Sequence, residues 1–200
     1  MTDSVQEQAS GKRERLIAGA RRVLHEQGVE VSTLADIAAA ADVPVGNVYY
    51  YFKTKDELVA AAIDAHAADI MAMLSEFERP RTPRARLKAF VRALADQRDL
   101  TARFGCPHGT LCSELGKRGD DLSDAAPQLM QIPIDWAERQ FRELGRRDAH
   151  DLAVALIASY QGISLLTNAF GDPRLMEREA RRLERWIDEL AVGTRTQRDS

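Results

Sequence analysis

The chain has 200 residues, 44% hydrophobic and 30% charged, with a formal net charge of -3. That suffices for a core in one or two domains, and the acidic balance argues against a coat that binds nucleic acid by bulk charge, while leaving room for a local basic face. Cys106 and Cys112 are too few for a disulfide scaffold and no apolar stretch follows Met1, so a reduced, cytoplasmic setting is expected.

Helical periodicity runs along the chain, and the expected fold is all-α. Arg13 to Gln27 sets Leu16, Ile17, Ala20, Val23 and Leu24 on one face, and Gly28 follows where a left-handed cap is wanted. Thr33, with Asp36 three residues on, predicts a capping box that uses Asp in place of Glu or Gln, opening a short second helix to about Ala41. Pro44 suits the first turn of a third helix ending near Tyr51, because its missing N–H would be unpaired there. Thr54 caps a fourth, about Lys55 to Phe77, with Asp56 and Glu57 at its positive end. This helix is long enough to link two domains.

The prolines and charges of Glu78 to Pro83 mark a linker. Beyond it, helices are expected over about Arg84 to Phe104, from the Gly105 to Gly109 interruption to about Lys117, and over Asp120 to Leu144 with breaks or kinks near Pro127 and Pro133. Asp148 to Phe170 and Pro173 to Ala191 complete the set. Residues 1–11 and 193–200 are expected to be flexible tails. Leu152 to Gly171 carries no charge and has the length of a bilayer span. Tyr160, Gln161, Ser164, Thr167 and Asn168 would then face lipid at a cost, so the segment reads as a helix covered by its own core and by a partner chain. No membrane association is expected.

The densest information lies in Val43 to Leu58, VPVGNVYYYFKTKDEL. Two short helices joined at Asp42 and Val43 leave the third open to solvent on one side, with Val45, Gly46, Asn47, Tyr49 and Tyr50 available and Val48 and Phe52 turned inward. Tyrosine hydroxyls donate to phosphate oxygens while the rings pack on sugars, and Lys53 and Lys55 sit where a nucleic-acid backbone would pass. The same tyrosines also fit a purely internal role, wedging the helices together.

Thr33 to Ala38, then Ala41 to Phe52, then Lys55 to Leu58 resemble, as a spaced set, the DNA-binding domain of TetR-family transcriptional regulators. The resemblance covers about the first quarter of the chain. It implies a three-helix helix-turn-helix domain over residues 1–53, followed by a larger helical ligand-binding and dimerisation domain over 54–192. It also implies a homodimer that enters successive major grooves of a near-palindromic double-stranded operator, most often to repress. By position, Thr33 would cap and touch phosphate, Tyr49 and Lys55 would grip phosphates, Gly46 would allow close approach, and Val45, Asn47 and Tyr50 would face bases. Val45 stands where many members are polar or basic, and Pro44 where many have Ser or Thr; a Val there suits a thymine methyl.

Small residues and apolar residues in the last two helices, among them Ala153, Ala155, Ala158, Gly162, Leu156, Leu166, Leu183 and Ile187, read as the dimer surface. Phe90, Leu94, Phe104, Leu111, Trp136 and Tyr160 fit the lining of a pocket for an unknown small-molecule effector and equally a filled core. Cys106, ahead of Pro107, reads as a thiol at a helix start with His108 beside it: either a thiol sensor, or a small buried residue in a tight turn. Cys106, His108 and Cys112 lack a zinc-site spacing, so no metal or cofactor is expected. Two alternatives remain: a DNA-packaging protein of low sequence preference and a thiol-dependent helical enzyme. The latter lacks a phosphate loop, a paired-cysteine motif and a metal repeat.

Overall fold

In the computed structural model the backbone is described over residues 2–79 and 82–196, and side chains over 11–79 and 82–191. Regular structure among the described residues is helical throughout, in the order α1 (Thr2–Gln27), α2 (Leu34–Ala40), α3 (Val45–Tyr51), α4 (Lys55–Glu76), α5 (Pro83–Asp96), α6 (Arg98–Phe104), α7 (Pro107–Leu115), α8 (Asp121–Ala125), α9 (Gln128–Glu143), α10 (Ala149–Phe170) and α11 (Arg174–Thr196). Of the expected flexible tails, Met1 and residues 197–200 lie outside the described residues. The chain forms two compact units, residues 1–68 with 107–129, and residues 69–106 with 130–200.

In the first unit Leu16, Ala20, Val23 and Leu24 of α1, Ile37 and Ala38 of α2 and Val48 of α3 are buried. At Gly19 α1 and α2 come close: a Cβ there would stand 3.0 Å from the Ile37 carbonyl oxygen. Gly28 ends α1 at φ +88°, its N–H on the Leu24 carbonyl. The capping box forms with Asp in the third position: Thr33 Oγ1 accepts from the Asp36 N–H at 3.2 Å, and Asp36 Oδ2 accepts from the Thr33 N–H at 2.9 Å. Pro44 serves as the N-cap of α3, one residue ahead of the position its sequence suggests. Thr54 Oγ1 accepts from the Glu57 N–H at 3.1 Å to open α4.

The second unit has its core in Leu87, Phe90, Val91, Trp136, Phe141, Leu156, Met176, Leu183 and Ile187. Two points differ from expectation. The helix expected over Arg84 to Phe104 is two, because at Gln97 the N–H turns to Leu94 O and Ala95 O and α6 begins anew. No proline or glycine announces that break. Pro127 does separate α8 from α9, but α9 continues through Pro133, which is buried. The helix α10, expected to be covered by its own core and by a partner chain, is covered only in part within this chain. It and α4 are long and apolar enough to cross a membrane by length and composition alone, yet only 28% of the α10 window is buried, against 44% for α4. One face of α10 (Ala153, Leu156, Ile157, Ser164, Thr167) packs inward, while Val154, Leu165, Leu166 and Phe170 lie exposed.

Candidate nucleic-acid interface

The turn between α2 and α3 is made by Asp42, at φ 51°, a left-handed conformation that Asp tolerates better than most residues. The Val43 N–H donates to the Ala38 carbonyl at 3.0 Å and the Arg22 guanidinium to the Ala40 carbonyl at 2.7 Å. With Val43, Val48 and Phe52 buried, α3 has one orientation left to it, and Val45, Gly46, Tyr49 and Tyr50 are presented outward with Asn47 half-buried beside them. Tyr49 is 53% and Tyr50 74% exposed, so these two rings are not internal wedges; Tyr51 is half-buried and meets the edge of Tyr50 at 4.9 Å. Nothing lies within 4 Å of a Cβ built on Gly46, which leaves that face of α3 open to approach.

The basic groups are less free than their sequence positions suggest. Lys53 Nζ donates to the Tyr49 carbonyl at 2.6 Å, on the exposed side. Lys55, half-buried, donates instead to the carbonyl of Val29 and, at 3.5 Å, to that of Glu30. Its ammonium thus braces the turn that precedes α2. Thr33 is exposed, but its hydroxyl also donates to Asp36 Oδ2 at 2.6 Å, and this bond with the Thr33 N–H holds the Asp36 carboxyl below its usual range.

The six residues suggested for effector binding are not brought together. Trp136 lies at the base of a groove between α4 and α9, where Met71, Leu74, Glu78, Ile132 and Arg139 leave about 410 Å³ of free space. Phe90 packs on Trp136 at 5.3 Å and is buried. Leu94 and Tyr160 line a separate cleft against α11 that leaves about 10 Å³, room for a water at most. Phe104 is half-buried under the Arg103 guanidinium, and Leu111 is buried in the other compact unit.

Cys106 is 6% exposed. The Gln161 amide donates to its sulfur at 3.6 Å and to Met130 sulfur at 3.4 Å. Burial, and then the neighbouring Cys106, push the Tyr160 phenol above its ordinary range. His108 sits edge-on to His66, ring centres 5.0 Å apart. Among the described residues no group of His, Cys, Asp and Glu is placed to hold a metal ion. Residues that sequence reasoning missed are Glu114, which bonds to the turn ahead of the helix-turn-helix, and Arg118, which bonds to the helix start that follows it; no local motif signals either.

The sequence model of the bacterial regulatory proteins of the tetR family matches residues 16–62. The chain is 29% identical over 175 residues to the HTH-type transcriptional regulator TtgR of Pseudomonas putida, covering 82% of this chain and 83% of that one. It is 30% identical over 165 residues to the HTH-type transcriptional repressor DhaR of a Mycobacterium species, covering 76% and 80%. A TetR transcriptional regulator from Chloroflexus aurantiacus shares the fold at a TM-score of 0.81, with 20% identity over 91% of this chain and 96% of that one. On sequence, fold and the exposed α3, the chain belongs to the TetR family of bacterial regulatory proteins and is a helix-turn-helix DNA-binding transcriptional regulator.

Proposed function

We propose that the chain is a homodimeric repressor that holds a near-palindromic operator through α3 and lets it go when a small molecule binds its second compact unit. The observation that carries the operator reading is the solvent-facing surface of α3, where Val45, Tyr49 and Tyr50 are exposed on a helix whose other face is locked in the core. Val45, Asn47 and Tyr50 read base edges; Tyr49, Lys53 and Thr33 meet phosphates; Gly46 admits the close approach. Lys55 acts from behind, through the turn it braces.

The dimer forms on the outward face of α10. Val154, Ala158, Gly162, Leu165, Leu166 and Phe170 recur at helical spacing on the side away from its own core, and a Cβ on Gly162 would meet nothing within 4 Å. A helix face this apolar calls for a second apolar face. Leu156, Leu183 and Ile187, grouped with the dimer surface on sequence, are buried in the chain's own core. The effector site is the groove over Trp136, whose free space falls in the usual size range of ligand sites. Cys106, buried under Gln161, serves as packing rather than as a sensor. A regulator of this kind works where its operator is, in the bacterial cytoplasm.

Selection of duplexes from a randomised pool by the full chain tests this. The expected outcome is enrichment of a sequence with two inverted half-sites, centred one helical turn apart at roughly 34 to 36 Å. Binding with no preference between enriched and unrelated duplexes would instead mark a packaging protein.

A further inference from the structure

The head is completed by a segment from far along the chain. Residues 107–129 belong to the same compact unit as α1 to α3, and α7 brings Glu114 to the end of α1. The Glu114 carboxylate accepts from the Val29 N–H at 2.6 Å. Gly28 leaves space for it: a Cβ there would stand 2.7 Å from Glu114 Oε1, and φ is +88°. The Val29 carbonyl is taken from other sides, by Lys55 Nζ and by Ser32 Oγ at 3.0 Å. Both peptide groups of a residue whose side chain is wholly buried are therefore pinned, four residues ahead of Thr33.

The second hold follows directly after α7. The Arg118 guanidinium donates to both oxygens of Asp56, at 3.1 and 2.6 Å, while its Nε donates to Asp120 at 2.8 Å. The side chain is 25% exposed, and the bond to Asp56 is the first cause raising the Arg118 pKa above its ordinary value. Two parallel charge-assisted bonds fix orientation as well as distance. Asp56 stands next to Lys55 in the first turn of α4. Glu114 and Arg118 thus hold the turn between α1 and α2 and the first turn of α4, and neither belongs to the stretch that carries the helix-turn-helix pattern.

We propose that Glu114 and Arg118 are positioning residues for operator binding: from outside the helix-turn-helix sequence they set the α1–α2 turn and the start of α4, and through them Thr33, Lys53 and α3 at the DNA. The proposal rests on the reading of α3 as the operator-facing helix. It makes operator affinity adjustable by any event that shifts α7, whose first residue follows Cys106 in the chain.

The test uses the full chain and a duplex enriched by the wild type from a randomised pool, with an unrelated duplex of equal length, read by fluorescence anisotropy. Glu114→Ala and Arg118→Ala are each expected to bind the enriched duplex about tenfold more weakly and the unrelated duplex more weakly by a smaller factor, since phosphate contacts are shared by both and base contacts are not, with helix content and sedimentation unchanged. Glu114→Gln, whose amide oxygen still accepts from Val29, should bind like the wild type, and Arg118→Lys, which loses the fork, should fall between. Wild-type affinity in both alanine variants, while Tyr50→Ala loses the enriched duplex, overturns the positioning role alone. Wild-type affinity in Tyr50→Ala overturns the reading of α3 on which it rests. Should an alanine variant fail to fold, the conservative pair decides: Glu114→Gln and Arg118→Lys that both keep the full preference for the enriched duplex overturn the proposal for Arg118, and a Glu114→Gln that loses it overturns the role of the carboxylate as an acceptor.

Discussion

Tyr50 and Lys53 lie three residues apart, yet they are expected to fail differently. Tyr50→Ala should cost about 1–3 kcal/mol on an enriched duplex and little on an unrelated one, because a base edge distinguishes sequences. Lys53→Ala should weaken both alike and lower the salt slope by about one, as a lost phosphate contact does; a titration in increasing KCl separates the two. Thr33 is a test of local structure. Its hydroxyl closes the capping box, so Thr33→Ala should cost about 1 kcal/mol in urea unfolding and Thr33→Ser much less. That box was legible from two residues three apart, because a cap is a local bond. The direction of the Lys55 amine was not: its acceptors, the carbonyls of Val29 and Glu30, come from a turn well before it in the chain.

At the scale of elements, α10 shows what periodicity leaves open. A helix apolar all round announces burial but not which side meets its own core and which a partner. The structure separates a buried side from an exposed one, and two expectations follow from assigning the exposed side to a partner. Leu165→Glu with Leu166→Glu, on the exposed side, should turn a dimer into a folded monomer in sedimentation. Leu156→Ala, on the buried side, should instead cost about 2–5 kcal/mol of stability. Between α5 and α11 a charged cluster joins Arg84, Lys88 and Arg92 to Glu184 and Asp188. Arg92 first holds the Glu184 carboxyl below its usual range, and Arg84 does the same to Asp188. Carboxylates lowered in the folded state stabilise it above their ordinary pKa of about 4, and that contribution is lost as pH falls through the lowered values. Melting temperature followed from pH 7 downward should fall steeply there, and less steeply in Glu184→Gln with Asp188→Asn. His150 has the opposite sign: Glu138 raises its pKa, so its contribution is present below about pH 6.5 and fades as pH rises through the raised value.

For the molecule as a whole, the proposed release of DNA by a small molecule would act through linkage. A ligand that prefers a state with misplaced heads must lower operator affinity by the ratio of its affinities for the two states. The groove over Trp136 is where such a ligand is sought: screening by tryptophan fluorescence should find compounds that also dissociate the enriched duplex, and a binder that leaves DNA affinity unchanged would not be the effector. The chain passes between its compact units within α4, after Cys106 and after Leu129, so any such signal has three covalent routes to the head.

What the sequence determined by itself is everything set within a few residues: the all-helical class, the caps at Gly28, Thr33 and Thr54, and the spacing from Thr33 to Leu58 that carries the family. These are governed by neighbours along the chain, whose contacts need no knowledge of the rest. What only the tertiary structure decided is which groups from distant segments share a surface. It turned Lys55 inward, separated Leu94 and Tyr160 from Trp136, gave α10 an outer face, and carried Glu114 and Arg118 to the head. Such contacts depend on how helices far apart in the chain stack, and the stacking is chosen by the burial of the whole core, which no short window of sequence contains.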